Sequence, residues 1–219
     1  QFGGILMAKK DKFKRFKRDI DSHTMEEIER FLIVCEGEKT EPLYFESFEV
    51  FSANIKVIGA AKNTESLVNS AIDFKNKGEY DQVWCVFDKD SFNDQQFNNA
   101  CSKAAQNGMH VAYSNQSFEL WYILHFGLLE SQLDRHQYIN NLDVFFKKQF
   151  GKSYQKNDIE TFQLLRPFQE IAIRNAKKLA SYYNPSNTPS KRFPVTYVFE
   201  LVEELNKFSR NNRWVSKDH

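Results

Sequence analysis

A chain of 219 residues with 41% hydrophobic and 27% charged side chains carries enough apolar material for a sizeable core, and its net charge of +1 excludes a polycation that coats nucleic acid by bulk attraction. No apolar run approaches the roughly 20 residues that span a bilayer, and no secretory leader is visible, so no membrane partner is expected. Three cysteines, Cys35, Cys85 and Cys101, without CxxC spacing argue against a zinc site or a disulfide framework and point to a reducing cytoplasm.

Residues 1–6 read as an expression scar, with Met7 as the natural start. Up to residue 27 the chain is basic: Lys9, Lys10, Lys12, Lys14, Arg15, Lys17 and Arg18 crowd around Phe13 and Phe16. Such a block is either a solvated arm or an arm that grips phosphates as it orders.

From residue 28 to 126 strands and helices alternate. Phe31 to Cys35 is apolar without alternation, which marks a strand buried on both faces of a parallel sheet. A helix is predicted over 40–50, with Pro42 in its first turn, then a short strand over 54–58. Leu67, Ala71 and Phe74 share one face of a helix over 64–77 that Gly78 ends. A third strand runs over 82–87, a polar helix over 94–107, a fourth strand over 109–113 and an apolar helix over 117–126. This order predicts an α/β, Rossmann-like, mostly parallel four-stranded sheet with helices on both faces.

After Gly127 the pattern becomes helical, over 138–150, 167–183 and 196–208, with no clear strand. In the last helix Val198, Leu201, Val202, Leu205 and Phe208 form one stripe. A turn-rich loop, residues 184–190, precedes it. The expected organisation is therefore a basic arm (1–27), an α/β domain (28–126) and a helical C-terminal extension (127–219) packed on it.

Two strands end in carboxylates. The first breaks into Glu36-Gly37-Glu38 and the third into Asp88-Lys89-Asp90. Ligands of open α/β sheets collect beyond the carboxyl ends of such strands. Asp88 and Asp90 stand two apart on extended chain, so they point the same way. If the two strands are neighbours, three carboxylates converge, and their repulsion calls for a hard cation such as Mg²⁺ or Mn²⁺. Gly37 would admit a phosphate close to the backbone; Glu38, Glu41 and Asp94 would supplement the set. The bland alternative is that the Asp-x-Asp only caps the following helix.

These residues resemble the Toprim core shared by topoisomerases, bacterial primases and OLD nucleases. The closer resemblance is to the RloB family, Toprim-like proteins of bacterial restriction and abortive phage-resistance loci. It rests on Phe31–Phe45, Val86–Asp90, Ser114–Trp121 and Ile123–Phe126, with Asn184-Pro185-Ser186 and Leu201-Val202 toward the end. The resemblance implies a Toprim-like fold and Mg²⁺-dependent (or Mn²⁺-dependent) cleavage of DNA or RNA, in antiviral defence, under an AAA- or ABC-type ATPase partner. Glu36 would match the Toprim glutamate, a general acid/base or metal ligand. Asp88 and Asp90 would match the metal-binding aspartates, and Glu119 would hold a second ion. Ser91-Phe92 stands where many Toprim enzymes have glycine after the aspartates, which speaks against topoisomerase or primase activity.

Lys39 would meet a phosphate beside the metal, or is a solvated loop lysine. Arg174, Lys177, Lys178, Lys191 and Arg192 are either a solvated face or a nucleic-acid track. His125, Trp121 and Tyr122 read as core residues. Two other functions compete: a catalytically silent scaffold that binds nucleic acid or an ATPase, and a Mn²⁺-dependent glycosyltransferase using the Asp-x-Asp. The latter leaves Glu36-Gly37 and the Phe118–Trp121 segment unexplained. Whether the chain forms a homo-oligomer is open.

Overall fold

The computed structural model describes residues 28–59, 64–89 and 92–209. The expected basic arm and Asp90 lie outside the described residues.

Strand β1 (Glu29–Cys35) is followed by α1 (Thr40–Glu46), β2 (Ala53–Gly59), α2 (Thr64–Lys77), β3 (Gln82–Asp88), α3 (Asp94–Gln106) and β4 (His110–Asn115). Then come α4 (Glu119–Ile123), α5 (Arg135–Phe150), α6 (Thr161–Leu165), α7 (Gln169–Ser181), β5 (Val195–Thr196) and α8 (Val198–Lys207). The strand order is β2-β1-β3-β4-β5. The first three pairings are parallel and the last is antiparallel.

The expectation of four strands is corrected to five among the described residues, in a mixed sheet. The fifth strand has two residues, too few to display a period, and it exists because the edge of β4 offers backbone partners. Val195 and Thr196 pair with Asn115 and Ser114, and the Ser114 and Thr196 hydroxyls share a hydrogen bond of 2.9 Å. The first helix stops at Glu46 instead of reaching Val50, and α4 has only five residues. The short helix α6 was not anticipated.

The absence of alternation in β1 and β3 has its cause in two apolar layers. Phe31, Ile33, Cys35, Trp84 and Val86 face a cluster built with α1, α4, α5, α6, α7 and α8. Leu32, Val34, Val83, Cys85 and Phe87 face α2 and α3. Both faces being covered, each strand residue must be apolar. The first cluster takes up eleven of the 21 phenylalanines, seven buried and four packed against it. Tyr44 alone lies within 6.4 Å of Phe45, Phe48, Phe118, Trp121, Tyr122 and Phe162, ring centre to ring centre. That cluster runs from Phe31 to Leu205, so residues of the α/β part and of the helical part pack together.

Trp121 and Tyr122 are buried in it, as expected. Cys35 and Cys85 are buried free thiols, and burial pushes both thiols up, Cys85 to about 12. No described helix is long and apolar enough to cross a membrane.

Candidate functional site

At the carboxyl edge of β1 and β3 the chain turns from apolar to acidic. The Glu36 amide still donates to Val86 O at 2.9 Å, so the parallel ladder, not a loose loop, holds this residue. Its side chain reaches across: the Asp88 amide donates to Glu36 Oε2 at 3.1 Å. By the alternation that sends Trp84 and Val86 into the first cluster, Asp88 points to the α4–α5 side, where it is 5% exposed.

Two more carboxylates stand on that side. Glu119 opens α4 directly after β4 and is 1% exposed. Glu41, in the first turn of α1, is also buried. Gly37 makes room for it, because a Cβ there would lie 2.1 Å from Glu41 Oε2. Burial raises the Glu41 carboxyl above its ordinary range and the Glu119 charge adds to this, while Lys156 and Arg135 oppose it.

Two cations close the group. Arg135, the first residue of α5, donates from Nη2 to Asp88 Oδ2 at 2.8 Å, and its Nε stands 3.6 Å from Glu119 Oε2. Lys156 Nζ lies 3.5 Å from Glu119 Oε1. Lys156 comes from the segment between α5 and α6, which is tied down where Thr40 Oγ1 donates to Asn157 Oδ1 at 2.6 Å. Asn157 takes a left-handed backbone, φ 66°, which asparagine tolerates.

The donor set is the hard, oxygen-only kind that suits Mg²⁺ or Mn²⁺. Its arrangement is another matter. Among the described residues no group of three or more His, Cys, Asp or Glu side chains is disposed to hold an ion. A guanidinium and an ammonium group, Arg135 and Lys156, stand beside Asp88 and Glu119.

The structure joins Asp88 and Glu119 through Arg135 and sets Glu36 against the Asp88 backbone amide, while Asp90 lies outside the described residues. Lys39 is exposed at the start of α1, and Glu38 is exposed beside it. Asp94 faces away into ion pairs with Lys89 (3.2 Å) and Lys191 (2.7 Å), which hold its carboxyl below the usual range. Of the basic residues considered for nucleic acid, Arg174 and Lys178 are exposed on α7. Lys177 pairs with Glu203 at 2.6 Å. Arg192 is spent on the carbonyls of Pro185 and Asn187 and on the Tyr197 hydroxyl. Sequence reasoning missed Arg135 and Lys156, which sit in polar stretches far from either acidic strand end.

A cavity of about 430 Å³ lies at the opposite edge, lined by Gln82, Trp84, His110, Glu200, Glu203 and Glu204. It opens at the amino ends of the strands, the end where open α/β sheets do not usually place ligands.

The protein-family model described as RloB-like protein matches residues 31–205. The chain belongs to the RloB-like family. The matched stretch contains Glu36, Asp88, Glu119, Arg135 and Lys156, so the whole carboxylate–cation group of this RloB-like chain lies within the family region. No curated protein and no solved structure matches the chain.

Proposed function

We propose that this RloB-like chain is a Toprim-type, Mg²⁺- or Mn²⁺-dependent nuclease that acts on DNA or RNA in the bacterial cytoplasm, as the effector of an anti-phage system under an ATPase partner. The observation that carries this reading is the contact between Glu36 and the Asp88 backbone, 3.1 Å apart at the carboxyl ends of neighbouring strands, with Glu119 buried beside them. Asp88, Glu36 and Glu119 would hold the ion, with Asp90 as a further ligand. A divalent ion there would polarise a phosphodiester and lower the pKa of a bound water.

The chain's own residues would do the rest. Glu36, half-buried and held by the sheet ladder, would act on a proton through Oε1, since Oε2 accepts from the Asp88 amide. Arg135 and Lys156 supply positive charge on the side of the site facing Glu119, where a phosphate's developing charge would be steadied. Lys39, exposed at the start of α1, would meet a flanking phosphate.

Purified protein incubated with plasmid, single-stranded DNA and total tRNA, with Mg²⁺ or Mn²⁺, is expected to cleave at least one of them. Chelation should abolish cleavage, and Glu36→Gln and Asp88→Asn should each lower it by roughly 100-fold. Cleavage that survives chelation or both substitutions would overturn the reading.

One observation favours a second reading, a silent scaffold that binds nucleic acid or an ATPase. The Asp88 and Glu119 carboxylates are already paired with Arg135 and Lys156. That reading wins if no substrate, nucleotide sugars included, is turned over even with the ATPase present.

A further inference from the structure

We propose that Arg135 competes with a divalent cation for the carboxylates of Asp88 and Glu119, so that ion uptake and Arg135 release are one coupled step. This deepens the nuclease reading and rests on it.

Arg135 touches both acids at once, 2.8 Å from Asp88 Oδ2 and 3.6 Å from Glu119 Oε2. The acids are buried, yet the Arg135 side chain is 34% exposed, so it has a way out to solvent that they lack. Its place on the helix is also unfavourable by itself. Asp134 caps α5 and Arg135 is its first residue, where the helix dipole repels a cation. Asp88 and Glu119 are among the groups that hold the guanidinium there.

The longer contact is an ion pair without a hydrogen bond: Glu119 Oε2 accepts none among the described residues. An oxygen buried in this way is under-used, and a cation able to approach it directly gains more than Arg135 does. Withdrawing the guanidinium leaves the buried Asp88 and Glu119 carboxylates with less counter-charge, Lys156 remaining at Glu119 Oε1, and another cation can make up the difference. A divalent ion supplies that charge within a smaller radius. Lys156 approaches the other oxygen of Glu119 from a different segment and need not move. Because the competition is an equilibrium, whatever draws Arg135 away, such as a phosphate at the mouth of the site, must raise ion affinity by the same factor.

The experiment is calorimetric titration of Mn²⁺ into wild type, Arg135→Gln, Arg135→Lys and Arg30→Gln, the last breaking an exposed pair with Glu79 and Asp81 at the other end of β1. Arg135→Gln should bind Mn²⁺ about tenfold more tightly than wild type, Arg135→Lys in between, and Arg30→Gln unchanged. A merely structural Arg135 would lower the Tm of its variants without tightening Mn²⁺ binding, and that result overturns the proposal. In case the variants fold poorly, the ¹⁵Nε resonance of Arg135 in wild type should shift and exchange faster with solvent on adding Mg²⁺. If Mg²⁺ binds and this signal stays still, the proposal fails and the nuclease reading stands; if no ion binds any of these proteins, both fall.

Discussion

His125 shows how much a single side chain can be read before and after the fold is known. Flanked by Leu124 and Phe126, it reads as a buried, hydrogen-bonded histidine, and it is 1% exposed with Nδ1 2.9 Å from Trp121 O. Burial pushes its pKa from 6.5 down to about 4. An unfolded chain therefore takes up a proton at this residue as pH drops below about 6.5, while the folded chain resists until about 4. The stability tied to neutral His125 is full above 6.5 and is lost as pH falls through that window, by roughly 3 kcal/mol in all. Thermal unfolding between pH 7 and 4 should show a steep fall in wild type and a shallower one in His125→Gln. Equal slopes would assign the acid sensitivity to other groups.

At the scale of elements, the turn after β1 is the feature on which the site depends. Gly37 leaves space for Glu41, and Gly59 at the end of β2 leaves space for the turn itself. A Cβ on Gly59 would lie 2.8 Å from Glu38 Cα and 2.9 Å from Gly37 O, both backbone atoms with nowhere to yield. Gly59→Ala should therefore cost about 1–3 kcal/mol in denaturant unfolding and weaken Mn²⁺ binding, because the displaced turn carries Glu36 with it. Unchanged stability and ion affinity would mean that the turn adapts freely. Gly37 has a use that its sequence-based reading did not include: its missing side chain leaves space for the Glu41 carboxylate.

For the whole molecule, the first apolar cluster is the fact with the widest consequences. It joins Phe31 and Ile33 of the sheet to Leu201, Val202 and Leu205 of α8. The two parts should then unfold together, with circular dichroism and tryptophan fluorescence giving coincident transitions. Leu205→Ala, at a fully buried position, should shift that single transition by about 2–5 kcal/mol. Two separated transitions, with Leu205→Ala moving one of them alone, would mean that the helical part is an independent unit.

The α/β alternation, the two acidic strand ends and the stripe on the last helix were legible in the sequence, because burial on both faces of a strand and on one face of a helix writes a local apolar pattern. The strand β5 was not legible, since two residues carry no period and its pairing is a property of the β4 edge. Nor were Arg135 and Lys156. A counter-charge is selected by where it arrives in space, and the Arg135–Asp88 contact spans 47 residues of chain with no local signature. The residue types near the site thus followed from sequence, whereas the balance of charge among them was decided by tertiary packing, because Coulomb energy depends on distance through space and not along the chain.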